Sequence, residues 1–581
     1  MISDATSLQR AKGQYFTPES LVKSFLNRIL VYYRNINYNS RKVKVLDPAV
    51  GEGIFLEKLI PLIRPYIGSA DFYGVDIDSK AVKKAEKKLI PLIESKTYNI
   101  MLKARNFFLE FPSKKYKNKF DLIIGNPPHA ARYSKKEWKT IQNEILSIEN
   151  PKLRLESSVY FVLSSFNLLR KGGLLGFILP KPIIYSKRWT EFRKLLLHRN
   201  NLLEVLDLGN QFSGQLQEQI GVIVQKKDPS FCYNTGFWCK NQQKLIGFQS
   251  ISFSDAIRLD NLLVGITQVE LAIIHRLTEK EYKFLDVAAF RGLNSKYRSV
   301  RGNVPIIEKS NIGDGFLLPP RHYVKTDVPR RIIQRQQQPK IIAHRIIGYK
   351  TQPAFKLNLK TFVDYKGEYI THETVINIIP NYSQDISLAS IAGLIQSSFI
   401  EWWLRHAVYT KRFVTSKDFD SAYINRIRVP QTLGRKDISY RSLIERLIKK
   451  GNLDQILQDA NNQSNLDKLF TIGKIYQEFQ KKGKCLKIKI LHYLKSDFKT
   501  SNFNNKKNKE FYMFKWMIRQ LNRNKDIIKD LDSINTQKMK KFKNEHQLLE
   551  QFRYYINELV YSLYKITPEE RNIIEGGKNY F

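Results

Sequence analysis

The stretch that decides the fold is Asp121-Leu122-Ile123-Ile124-Gly125-Asn126-Pro127-Pro128-His129. Following Phe120, its apolar half has the length and composition of a buried strand. The pattern breaks at Gly125, and two consecutive prolines forbid both helix and further sheet pairing. The result is a stiff, extended tip at a strand's carboxyl end, the edge where ligands sit in open α/β sheets. The amide of Asn126 and the carbonyl of Pro127 can aim two acceptors at one planar amine. Bonding both N–H groups of a base's exocyclic amine favours a pyramidal nitrogen and frees a lone pair otherwise delocalised into the ring. Because the prolines fix the backbone, that geometry precedes the reaction. An isolated Asn-Pro-Pro reads as a turn after a core strand, so the neighbouring segments decide.

Upstream, Val43-Lys44-Val45-Leu46-Asp47 reads as a strand and Pro48-Ala49-Val50-Gly51-Glu52-Gly53 as a tight loop opening a helix at Ile54. Small residues there let a backbone approach a ligand closely, although the three-glycine dinucleotide pattern is absent. A second strand, Phe72-Tyr73-Gly74-Val75, ends in Asp76-Ile77-Asp78. Asp76 follows Gly51 by 25 residues, a placement suited to ribose hydroxyls. Asp78 is read as the N-cap of the next helix. Further upstream, in Gly13-Gln14-Tyr15-Phe16-Thr17-Pro18-Glu19, Thr17 suits an N-cap and Pro18 the first helical position. That helix start, with the Tyr15 and Thr17 hydroxyls beside it, suits a small carboxylate.

Downstream, strands are expected near Ile100 to Lys103, Leu174 to Pro180, Leu203 to Leu208 and Ile220 to Gln225. Strands alternating with helical stretches predict an α/β, doubly wound, mostly parallel Rossmann-like sheet over residues 1–235. After Lys226-Lys227-Asp228-Pro229-Ser230 the pattern shifts to short, irregular elements, read as a mixed α+β domain over 236–435. Residues 436–581 read as a helical, basic region.

The chain has 97 basic and 54 acidic residues among 581, a formal charge of +43, which points to a polyanionic partner. The span Arg321 to Lys360 holds ten Lys or Arg and one acid, Asp327, together with Tyr323, Tyr349, Phe355 and Gln336-Gln337-Gln338. Such a mixture suits phosphates, base edges and stacking. Three cysteines make no disulfide framework, and Cys232 and Cys239 lack partners at zinc-like spacing, so no metal is expected. The most apolar run, Gly172 to Ile184, is too short to span a bilayer, and a soluble, intracellular protein is expected.

Gly13-Gln14-Tyr15-Phe16-Thr17-Pro18, Asp47-Pro48-Ala49-Val50-Gly51-Glu52-Gly53, Gly74-Val75-Asp76-Ile77 and Asn126-Pro127-Pro128-His129 stand in this order. In that order the sequence resembles the N6-adenine-specific DNA methyltransferases of the gamma arrangement, the TaqI/Eco57I-like restriction-modification family. The resemblance implies S-adenosylmethionine as methyl donor, with Tyr15 and Thr17 near its methionine end and Asp47, Gly51 and Gly53 around the sulfonium. Asp76 would hold the ribose, with Ile77, Asn106 and Phe107 at the adenine ring. The family usually has Asp where Asn106 stands. Asn126, Pro127, Pro128 and His129 would form the catalytic tip, His129 replacing the usual Tyr, Phe or Trp, and Phe212 would pack on a flipped adenine.

Sequence choice is expected in the 236–435 domain, with Arg330, Arg331, Arg335 and Arg345 as candidate base or phosphate contacts. The implied partners are double-stranded DNA and a separate restriction endonuclease, in the cytoplasm of a prokaryotic cell and away from membranes. Three rivals stay open. They are a bifunctional restriction–modification enzyme, a non-catalytic DNA-binding subunit, and a methyltransferase acting on amines of RNA or protein.

Overall fold

The computed structural model describes residues 17–34, 42–93, 97–128, 157–210, 218–313, 320–348, 357–381, 386–411, 417–431 and 552–576, with isolated positions between them. The chain divides into two compact units. One holds residues 1–278 with 349–355 and 404–415, and the other holds the rest.

The first unit is built on a sheet of nine strands. These are β1 (Val43–Asp47), β2 (Ala70–Asp76), β3 (Tyr98–Ala104), β4 (Phe120–Gly125), β5 (Leu169–Pro180), β6 (Asn201–Gly209), β7 (Gln219–Gln225), β8 (Cys232–Cys239) and β9 (Lys244–Ser252). Their lateral order is β3-β2-β1-β4-β5-β7-β6-β8-β9. The pairs β1·β2, β2·β3, β1·β4 and β4·β5 are parallel, while β7 runs antiparallel to both its neighbours. The α/β, doubly wound reading therefore holds. β4 is buried at all six positions, as its unbroken apolar run requires of a central strand. The strand order reverses between β1 and β4, so a crevice opens at their carboxyl ends, where Asp47 and Gly125 stand.

Irregular structure was the expectation after Ser230, yet β8 and β9 continue the sheet, β8 lying parallel to β6 from Glu204↔Asn234 to Asp207↔Phe237. Asn234 and Gly236 interrupt the apolar run of β8, and its pairing with β6 and β9 overrides that weak local signal.

Helix α1 (Glu19–Tyr33) packs its apolar stripe, Leu21, Val22, Phe25, Leu26, Ile29 and Leu30, into the core shared with β1, β4 and β5. Its polar side is fastened as well. The Arg28 guanidinium and the Tyr32 hydroxyl, 2.8 Å away, both donate to the buried Glu204 carboxylate of β6. At the same carboxyl edge Lys181 lies 2.8 Å from Asp207 and 3.3 Å from Glu218, all three buried. That cluster ties together the end of β5, the end of β6 and the start of β7.

The second unit contains small sheets. One is β11 (Val287–Arg291), β18 (Val375–Pro380), β15 (Lys340–His344) and β16 (Thr361–Asp364), in the order β11-β18-β15-β16. Another is β12 (Arg298–Ser299), β14 (His322–Val324), β13 (Pro305–Ile307) and β17 (Ile370–Thr371), in the order β12-β14-β13-β17. A two-stranded piece pairs β10 (Tyr282–Phe284) with β19 (Arg428–Pro430). Of residues 436–581, the described part is chiefly helical, and the Tyr564 hydroxyl donates to the Arg428 carbonyl at 2.8 Å.

Candidate active site

The loop after β1 is held by backbone donors that converge on two acidic side chains. Asp76, ending β2, accepts from Gly51 N–H and from Asp78 N–H, each at 2.9 Å. Val50 N–H donates to the Val75 carbonyl at 2.9 Å, completing the link between the loop and β2. Gly51 and Gly53 have φ of 51° and 87°, left-handed values that an L side chain resists, which is why this tight turn needs glycine. Asp76 is half-buried; burial raises its carboxyl above the usual range, the two N–H donors oppose that, and Asp78 raises it further. Asp78 caps helix α2 (Ser79–Leu89) by accepting from Lys80 N–H at 2.9 Å, as its sequence position predicts.

Asp47 is 1% exposed. Its Oδ1 accepts from Ala49 N–H at 3.1 Å, while Oδ2 is buried and has no hydrogen-bond partner among the described residues. Burial, and to a smaller degree the neighbouring Asp76, push its carboxyl up to about 8. Across the crevice, a Cβ on Gly125 would stand 2.7 Å from Asp47 Oδ1, so only glycine lets β4 close on this carboxyl.

Asn126 follows directly. Its Nδ2 donates to Thr17 Oγ1 at 3.2 Å, and its Oδ1 is buried without a partner among the described residues. Pro127 is buried, and the carbonyl of Pro128 accepts from Ser157 Oγ at the start of helix α3 (Ser157–Leu168). Thr17 was expected to cap α1. Pro18 occupies the N-cap position instead, with no side-chain cap bond, so the Thr17 hydroxyl is turned to Asn126. No local pattern announces a bond spanning 109 residues.

Asp47, Gly51, Gly53, Asp76, Asn126 and Thr17 therefore form one connected edge. Around it, Ile77 is exposed, and Asn106 caps the short helix Phe107–Glu110 by accepting from Phe108 N–H at 3.0 Å. Phe107 is buried and stacks on Phe161, with centroids 5.1 Å apart and planes at 12°. Tyr15, His129 and Phe212 lie outside the described residues.

In the second unit the four arginines separate. Arg330 and Arg331 are exposed on the short helix Arg330–Gln334. Arg335 sits 4.5 Å over the ring of Phe290. Arg345 donates to the Glu373 carbonyl at 3.0 Å and lies 3.4 Å from Asp418. Arg335 is nevertheless exposed, and Arg345 is partly so.

The proteins that this chain matches are methyltransferases of restriction-modification systems. Residues 70–213 match the Eco57I restriction-modification methylase family. The chain is 26% identical over 223 residues to the type II methyltransferase M.VspI of Vibrio sp. (strain 343), covering 38% of this chain and 50% of that one. It is 24% identical over 226 residues to the type II methyltransferase M.BanIII of Aneurinibacillus aneurinilyticus, covering 36% and 38%. These alignments span half or less of the relatives' lengths. Among solved structures, the type IIG restriction endonuclease BpuSI is similar at a TM-score of 0.41 and 11% identity, covering 75% of this chain and 61% of that one.

The matches to restriction-modification methylases imply S-adenosylmethionine as methyl donor. The residues present fit it: Asp47 is a buried carboxyl group whose Oδ2 has no hydrogen-bond partner among the described residues, in a crevice that would receive a cationic ligand. Among the described residues no group of three or more His, Cys, Asp or Glu could hold a metal, and no helix is long and apolar enough to cross a membrane.

Proposed function

We propose that the chain is a site-specific DNA adenine-N6 methyltransferase, the modification component of a restriction-modification system. The observation that carries this reading is Asn126 Oδ1, a buried acceptor without a partner at the switch point of the sheet. A buried acceptor left unpaired costs about 1–3 kcal/mol, and no described residue supplies the donor, which supports a ligand amine in that place. An exocyclic amine supplies two N–H groups, one for Asn126 Oδ1 and one for the Pro127 carbonyl.

S-adenosylmethionine supplies an electrophilic methyl group. Asp47, whose carboxyl is pushed up to about 8, would ionise against a cationic donor, and Asp76, fixed by Gly51 and Asp78, keeps lone pairs for ribose hydroxyls. The two acceptors on the amine draw its nitrogen toward a pyramidal shape. With the donor bound, that nitrogen would take the methyl group as the carbon–sulfur bond is given up, Asn126 and Pro127 holding its N–H groups until the surplus proton leaves to water. Neither a covalent enzyme intermediate nor a cysteine is needed. Reaching the amine requires the adenine to leave the duplex, the step for which His129 and Phe212 supply flat faces. Charge supports a polyanionic substrate, and the similarity to restriction-modification methylases supports double-stranded DNA, a separate restriction endonuclease and a prokaryotic cytoplasm.

The decisive experiment is expression of this chain alone in a host lacking adenine methylation, followed by sequencing that reads modified bases. N6-methyladenine at one sequence motif is expected. Unmodified DNA from a cell containing folded, donor-binding protein would reject the reading.

A further inference from the structure

In the second unit, β12 and β13 both pair antiparallel to β14, one on either flank. Residues 300–304 must therefore cross β14 to pass from one flank to the other. The crossing is close. A Cβ on Gly302 would stand 2.8 Å from Tyr323 Cβ and 3.2 Å from the Val324 carbonyl, and Val324 N–H donates to the Val304 carbonyl at 2.8 Å. At the other end, Arg301 N–H donates to Ser299 Oγ at 3.2 Å. A strap pinned in this way has little freedom to turn its side chains inward.

Its side chains face out. Val300 is 74% exposed and Val304 44%, with exposed Arg301 between them. Lone exposed valines are ordinary, but two on a pinned crossing with a cation between them form a small apolar and basic ridge. The sequence from Arg291 through Val304 contains no acid. Around the strap, Lys296, Arg298 and Lys325 are also exposed. Arg298 is paired with Glu308 at 2.9 Å and Lys296 lies over the Tyr297 ring, whereas Arg301 and Lys325 make no ion pair among the described residues.

We propose that the 299–304 strap is a surface that docks into a groove of duplex DNA, Arg301 meeting a phosphate or a base edge and Val300 making apolar contact with the bases. This rests on the DNA-substrate reading above and deepens it. The chemistry selects this occupant. A net charge of +43 seeks a polyanion, an arginine meets guanine or phosphate, and a valine methyl meets the thymine methyl or a base step. It also assigns duplex contact to residues outside the basic span at 321–360.

The test uses the full chain, with wild type, Arg301→Ala and Val300→Ser compared on two labelled duplexes. One carries the motif found by modified-base sequencing and the other is scrambled. Both residues are exposed, so thermal melting and donor binding should match wild type. Each variant should lose about five- to a hundredfold in affinity for the motif duplex, the range for one base-reading contact. Arg301→Ala should either lower the salt slope by about 0.9, identifying a phosphate, or relax one motif position at unchanged slope, identifying a base. Wild-type affinity, slope and motif preference in both variants would overturn the proposal, as would tighter binding of an RNA duplex of the same sequence. If the wild type itself neither methylates nor binds DNA, the underlying functional reading fails instead.

Discussion

Two buried aspartates, one in each unit, sit in opposite surroundings. Asp364, at the end of β16 and 2% exposed, has the Lys340 ammonium at 2.7 Å and accepts from Glu368 and Tyr369 N–H, each at 3.0 Å. Asp47, at the end of β1 and 1% exposed, has one N–H from Ala49 and no cation among the described residues, and Asp76 is the charged group that acts on it. The first carboxylate is compensated within the fold. The second has no compensating group among the described residues. Burial alone therefore says little about role, and the inventory of partners separates a structural acid from a binding one.

The contrast breaks most visibly on the structural side. Lys340→Met should strand Asp364 without its cation and cost about 3–5 kcal/mol of stability, read as a fall in the urea midpoint. Adding Asp364→Asn to that variant should recover part of the loss. A single substitution costing nothing would mean that the pair is solvated and the comparison with Asp47 empty.

At the site, Asn126→Ala should leave the fold and donor binding intact and slow methylation by about 2.7–4 kcal/mol, by analogy with the loss of one transition-state hydrogen bond. Single-turnover rates measure it. Near-normal rates would remove Asn126 from the chemistry.

Asp47 titrates in an accessible range, which sharpens the comparison further. With its carboxyl pushed up to about 8, the folded chain keeps a proton that an unfolded one releases near the ordinary carboxyl value. The associated stability is present in acid and is lost as pH rises toward about 8. A cationic ligand favours the ionised form, so donor affinity should climb with pH over that window and level off above it. Asp47→Asn should flatten the profile and weaken donor binding by about 1.5–3 kcal/mol, the scale of a charged hydrogen bond. Calorimetry across the window decides. A wild-type affinity independent of pH would show that Asp47 does not face the donor.

Much of the first unit was legible because its signals are local. The apolar runs of β1 and β4 end in Asp47 and Gly125, and the glycine loop and Asp76 follow at fixed spacing. What was illegible depends on partners distant in sequence. β8 is held by β6 and β9 despite Gly236, and the contacts of Arg335 with Phe290 and of Arg345 with Glu373 and Asp418 join segments far apart in sequence. The strap at 300–304 gave no sequence signal, because its exposure follows from the crossing of β14. The displaced cap of α1 is the most instructive case, since Thr17 is turned toward the Asn126 amide instead.

That contact yields the smallest expected effect and the finest test. An asparagine amide fits its slot either way round, exchanging oxygen for nitrogen, and only one orientation presents Oδ1 to an amine. Here Nδ2 donates to Thr17 Oγ1, and Oδ1 is left as the unpaired acceptor. A hydroxyl both donates and accepts, so alone it would bond either end of the amide. Once its proton is given to an acceptor such as a donor carboxylate, only its lone pairs remain for Asn126, and the amide must offer Nδ2. Thr17 would then act as a positioning residue that orients the amide when the donor is bound. Thr17→Val should lower kcat by about 0.5–1.5 kcal/mol, the net value of one neutral hydrogen bond, with the KM for DNA little changed. Thr17→Ser keeps the hydroxyl and should recover most of the rate, which a loss of methyl packing would not allow. Equal rates for the valine and wild-type proteins would mean that the amide is oriented by other groups.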